Sequence, residues 1–128
     1  MPNQFIANHR ELLMYQIAFE AAMQVFELAQ TLPDSERKLL TYPMVRASRS
    51  VCANLAKAWQ KRRYRSAFIA KLNTVESEAA ATQTWIEFAI LCSYIDAEVG
   101  QELLHRYTLV LTTVGRFIDN ADAWVVKS

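Results

Sequence analysis

Apolar residues recur at three-to-four spacing along most of the chain, the signature of amphipathic helices. The first such run extends from about His9 to Thr31. Its polar residues Glu11, Gln16, Glu20, Gln24, Glu27 and Gln30 form one narrow stripe, and almost everything else is apolar, including Leu12, Leu13, Ile17, Phe19, Met23, Val25, Phe26 and Leu28. A helix packed on a single core usually shows an apolar face of about 100° or somewhat more. This one is apolar round most of its circumference, so a second buried face is expected, with Phe19, Val25 or their neighbours meeting another subunit. Pro33 ends the run, because its ring cannot continue the helix and restrains Leu32.

In the second run Met44, Ser48, Val51, Leu55 and Trp59 share one side. Arg46, Arg49, Lys57 and Lys61 project from the other within an arc of about 120°. Arg62 would fall on the apolar side, so the helix should end before it. Pro43 is comfortable only in a first turn, which leaves two expectations open: Thr41 caps a helix starting there, or an earlier helix kinks at Pro43. In the third run Phe68, Leu72, Val75, Ala79, Thr82, Ile86, Ala89 and Ser93 trace an inner stripe, and Ala79, Ala80 and Ala81 would let a neighbour approach. Asp96 is a candidate N-cap for the fourth. There Leu104, Tyr107, Leu111, Val114 and Ile118 repeat at helical spacing, and Gly115 costs about 1 kcal/mol against Ala, tolerable where packing is close. Trp124 is a candidate for docking on the bundle. The pattern predicts helices near 9–31, 40–60, 66–94 and 97–122. Short connections favour an all-α, antiparallel up-down-up-down four-helix bundle in a single domain spanning residues 1–128.

Composition supports this. Hydrophobic content is 52%, with only two Gly and three Pro, so strand-and-turn architectures lack their usual punctuation. No apolar run approaches the roughly 18 residues of a membrane span, and Met1-Pro2-Asn3-Gln4 lacks the start of a secretory signal. Cys52 and Cys92 lack metal-type spacing, so reduced thiols in a cytoplasmic protein are expected.

Charge changes the picture. Ten of the fourteen Lys and Arg residues lie between Arg37 and Lys71, while no Asp or Glu occurs from Arg37 through Val75. The formal net charge of +1 hides a strongly basic middle and an acidic remainder. Such asymmetry points to a polyanion partner. The candidate nucleic-acid contacts are Arg46, Arg49, Lys57, Lys61, Arg62, Arg63 and Arg65, with Tyr64, Trp59 and Phe68 nearby as potential stacking groups; Trp59 itself points with the apolar side. Asn54, at the edge of the apolar arc, is read as an interhelical hydrogen-bonding residue that helps fix register. Catalysis finds no comparable support: there is no nucleophile elbow and no glycine-rich phosphate loop. The one Glu-x-x-His spacing, Glu102 to His105, has no second copy, and Glu76 and Glu78 have no matching His, so no metal or cofactor is expected.

The segment Arg46-Ala-Ser-Arg-Ser-Val-Cys-Ala-Asn-Leu-Ala-Lys-Ala58, preceded by Leu40-Thr41 and followed by Lys61-Arg62-Arg63-Tyr64 and Phe68, resembles the four-helix-bundle family encoded in intervening sequences of bacterial large-subunit ribosomal RNA. Glu76 or Glu78, and then Trp85 and Phe88, match the family's third helix. That family is similar in fold to the accessory variability determinant of diversity-generating retroelements. Pro43 stands where the family often has a polar helix former, Val45 replaces the first of two Arg residues, and Lys57 replaces an acid. The resemblance implies a four-helix bundle assembled as a homopentamer. For the retroelement relative it implies nucleic acid and a reverse transcriptase as partners. The expectation is therefore a non-enzymatic, oligomeric bundle that binds RNA or DNA, with a reverse transcriptase as candidate partner. The alternative is a structural or protein-interaction module whose basic face meets acidic protein.

Overall fold

A computed structural model describes residues 6–126. Residues 1–4, read above for a signal sequence, lie outside the described residues, as does the end of the tail at 127–128. Among the described residues every regular element is helical: α1 (Leu13–Ala29), α2 (Tyr42–Gln60), α3 (Arg65–Leu91), α4 (Ala97–Asp119) and the single turn α5 (Ala121–Trp124). Each long helix packs against its sequence neighbours, and α1 closes against α4, so the four run up, down, up, down around one core.

Residues 9–11 do not belong to α1. They form a separate 3-10 turn, because Leu12 adopts an extended ψ of 126° and breaks the hydrogen-bond run. A capping box holds this turn: Asn8 Oδ1 accepts from Arg10 N at 2.9 Å, and the Glu11 carboxylate accepts from Asn8 N at 3.1 Å and from Ala7 N. The start of α2 is not the Thr41-capped one; an earlier helical segment runs into it, as the other expectation had it. Residues Arg37–Thr41 form a π-helical turn running directly into α2, and Thr41 makes no side-chain cap. The widened turn accommodates Pro43, which has no N–H to give and whose ring would crowd the carbonyl four residues earlier in a regular helix.

The inner stripes of α2 and α3 match the sequence pattern. Met44, Ser48, Val51, Leu55 and Trp59 are buried, as are Phe68, Leu72, Val75, Ala79, Thr82, Ile86 and Ala89. Ser93 is not; α3 ends at Leu91, and Ser93 takes a left-handed φ of 61°. There Tyr94 N donates to Ala89 O and Ser93 N to Ile90 O, both at 2.9 Å, a Schellman closure without glycine. Asp96 does cap α4, accepting from Val99 N at 3.1 Å. The buried line of α4 is Gly100, Leu103, Tyr107, Val110 and Val114, rotated from the expected one; Leu104, Leu111 and Ile118 are half-buried. The close approach in α4 is at Gly100, where a Cβ would lie 2.5 Å from Ile90 Cγ1, whereas nothing lies within 4 Å of a Cβ at Gly115.

The α1 surface divides in a way the stripe reading did not foresee. Val25 is core, fully buried with Ala18 and Ala21. Phe19, Met23 and Phe26 form an exposed apolar line beside α2, and Glu20 faces α4 through Arg106 at 3.7 Å. On the α3 side of α2, exposed Leu39 and Phe88 line a second apolar cleft, and Leu91 is exposed three residues beyond Phe88. No helix among the described residues is long and apolar enough to cross a membrane.

Candidate nucleic-acid interface

The outer face of α2 presents Arg46, Arg49, Ala53, Lys57, Gln60 and Lys61, all exposed. Three-to-four spacing puts them on one line of about 22 Å at 1.5 Å per residue. The inward residues of α2 are apolar or small, which forces the charges outward. At the C-terminal end Lys61 N closes the helix onto Lys57 O and Ala58 O, and Tyr64 N donates to Lys61 O at 2.9 Å. This tight turn holds Lys61, Arg62 and Arg63 at the end of the bundle before α3 begins.

The seven predicted contacts do not share one environment. Arg46, Lys57, Lys61 and Arg63 are exposed, and no ion pair involves them among the described residues. Arg46 does share a cleft with Lys38, Tyr42, Trp85 and the carboxylate of Glu78. Arg49 leans over Phe26 of α1, its guanidinium carbon 5.4 Å from the ring centroid. Arg65 is the first residue of α3, and its Nε donates to Asp122 Oδ1 at 2.7 Å. Both partners are exposed, so the pair contributes little to stability, yet a phosphate would have to compete with Asp122 for that guanidinium. Arg62 is half-buried rather than a solvated loop residue: its guanidinium carbon lies 3.5 Å from the Trp59 centroid.

Of the neighbouring aromatics, Tyr64 is exposed, while Trp59 and Phe68 belong to the core. Phe26 is the aromatic that sequence reasoning missed. Its place in the Phe19–Met23–Phe26 line was readable, but its position beside Arg49 depends on how α1 packs on α2. Trp124 docks as expected, stacking on Phe117 at 4.3 Å and lying 5.9 Å from Trp59.

Asn54 is buried, but its recorded bonds stay within α2: Nδ2 donates to Ser50 O at 2.9 Å and Ser50 Oγ at 3.0 Å. The interhelical role expected for it is therefore corrected. The buried polar group between helices is instead Tyr107, whose hydroxyl has no hydrogen-bond partner. Burial and the neighbouring Cys52 push its pKa up; Ser48 works against the rise without closing a hydrogen bond. The Ser48 hydroxyl donates to Val45 O at 2.8 Å. Burial also pushes the Cys52 thiol up to about 11. Both cysteines are free, and no group of three or more His, Cys, Asp or Glu among the described residues is placed to hold a metal ion.

A family model described as 23S rRNA-intervening sequence protein matches residues 10–115. The chain belongs to this family. The match takes in α1 to α3 and most of α4, so the basic face of α2 lies inside the 23S rRNA-intervening sequence protein region. A crystal structure of a protein of unknown function from the S23 ribosomal protein family of Bacteroides thetaiotaomicron is similar, with a TM-score of 0.75 and 25% identity over 84% of this chain and 96% of that one. Comparison with curated proteins finds no match.

Proposed function

We propose that this 23S rRNA-intervening sequence protein is a non-enzymatic, cytoplasmic nucleic-acid-binding bundle that holds RNA or DNA along α2. The observation that carries this reading is the line of exposed cations from Arg46 to Lys61, continued by Arg63, on a helix without a single acid. Phosphate neutralisation by such a line releases counterions and gives sequence-tolerant affinity. Tyr64 stands beside it as an exposed aromatic on which a base can stack. The resemblance to the retroelement determinant adds a reverse transcriptase as candidate partner.

The reading includes a homo-oligomer, with the pentamer taken from the family resemblance. What supports assembly is the pair of exposed apolar regions beside α2: Phe19, Met23 and Phe26 on its α1 side, Leu39, Phe88 and Leu91 on its α3 side. Two different patches suit head-to-tail contacts that close into a ring, in which basic faces repeat. The same patches favour the second reading, a protein-interaction module with no nucleic-acid role.

A binding titration with single-stranded RNA at two salt concentrations separates the readings. Wild type should bind, with affinity falling steeply with salt at a log–log slope of about −0.7 per phosphate contact. Replacing Arg46, Lys57, Lys61 and Arg63 together by Ala should weaken binding to all sequences alike and leave the helical signal intact, since all four are exposed. Equal binding by both proteins, or no binding by wild type at low salt, would establish the interaction-module reading.

A further inference from the structure

Arg62 is held unlike any other cation of the basic segment. Its guanidinium lies on the Trp59 indole with the carbon 3.5 Å from the ring centroid, and its Nε donates to Trp59 O at 3.0 Å. Its own carbonyl accepts from Val126 N at 3.0 Å. Trp59 is in turn backed by Trp124, 5.9 Å away, which stacks on Phe117. Side chain and backbone are therefore both positioned, and the entropy of fixing a long side chain, about 2 kcal/mol, has been lost before any ligand arrives.

No carboxylate pairs with Arg62 among the described residues. Glu11 accepts the backbone N–H groups of Asn8 and of the cleft residue Ala7, and Asp122 accepts Arg65, so both carboxylates are engaged. Arg62 and Arg63 line a cleft of about 250 Å³ with Gln60, bounded by Ala7 and Val126. Partial burial draws the Arg62 pKa down, yet a guanidinium stays protonated in proteins. A positioned, partly desolvated cation that no carboxylate among the described residues pairs with is where an added anion gains most, because charge-assisted hydrogen bonds are strong and the planar fork matches phosphate oxygens.

We propose that this cleft seats one phosphate group, with the terminal amino groups of Arg62 as the fixed fork, Arg63 as a second charge and the Gln60 amide as a neutral donor. The proposal rests on the nucleic-acid reading and adds a fixed point to it: the strand is anchored at the end of α2, and the cations from Lys57 back to Arg46 track the backbone from there. Trp124 and Val126, which look like tail packing, act as the support behind the anchor.

The test uses the full chain and two phosphate sources, a short single-stranded RNA and inorganic pyrophosphate. Arg62→Lys keeps the charge and removes the fork; it should lower RNA affinity about tenfold and leave the salt slope unchanged. Lys57→Ala, on the open face, should lose less affinity while the slope falls by about 0.7. Pyrophosphate should shift the Arg62 Nε–Hε NMR signal in wild type. If RNA binds wild type and Arg62→Lys equally, the seat is wrong and the broader reading survives. If RNA does not bind but pyrophosphate moves the Arg62 signal, the seat stands for small phosphates and the nucleic-acid reading falls. If neither ligand acts, both fall. Trp124→Ala changes no charge and, provided it melts above the assay temperature, should also weaken RNA binding severalfold; full affinity in that folded variant overturns the support role and with it the preorganised anchor.

Discussion

Gly100 and Gly115 sit in one helix and answer to different neighbours. A Cβ at Gly115 meets nothing within 4 Å, so Gly115→Ala should raise stability by about 1 kcal/mol through helix propensity. At Gly100 the same change drives a methyl to 2.5 Å from Ile90 Cγ1. Overpacking costs about 1–3 kcal/mol against that gain of about 1, so Gly100→Ala should destabilise by about 1 kcal/mol. Urea unfolding of the two variants checks the opposite signs. The cysteines differ as sharply. Cys92 is exposed, and Cys52 is buried with its pKa raised from 9.0 to about 11. A thiol reagent at mildly alkaline pH should modify one cysteine in the native protein and two after denaturation. The Cys52 thiol also makes stability pH-dependent. Below pH 9 it is neutral in both states; between 9 and 11 the unfolded chain ionises while the native thiol keeps its proton, so stability falls across that window. Tyr107, shifted in the same direction, adds to the loss at higher pH. Unfolding measured across this window should show the decline begin later in Cys52→Ala.

Among the elements, α2 and α3 were the most legible because their apolar residues fall on one line each and meet neighbours on that line. The ends were less so. Ser93 stops α3 in a left-handed conformation that glycine adopts more easily. Nothing in Cys92-Ser93-Tyr94 announces this, since the closure depends on carbonyls of the preceding turn. Ser93→Gly should therefore stabilise by about 0.5–1 kcal/mol, less than the full conformational gain because glycine also loosens the unfolded chain. Thermal unfolding reads it. The π-helical turn at Arg37–Thr41 was half-legible: Pro43 signalled an irregular start, but the i−5 bond from Tyr42 N to Arg37 O is a property of the assembled chain. Asn54 shows the converse error. A wheel placed it correctly at the boundary of the buried arc, yet the acceptor that its amide finds is Ser50 on its own helix.

At the scale of the molecule, the basic line of α2 is framed by apolar surface, and assembly is the property most exposed to test. Phe19→Gln with Met23→Gln should leave the fold intact, because both side chains are about half exposed at 49%, and should lower the mass seen by light scattering if this flank is a subunit contact. A wild-type monomer at micromolar concentration would remove the assembly proposal altogether. Helical class, the four long helices, most inward residues of α2 and α3 and the segregation of charge were readable from the chain, because each follows from local periodicity and composition. The division of the apolar surface of α1 into a core line and an exposed line, the rotation of α4 and the capture of Arg62 by Trp59 and the C-terminal segment were not. Each depends on which surface a distant element presents, and periodicity records that a side chain is apolar or charged without recording what it packs against.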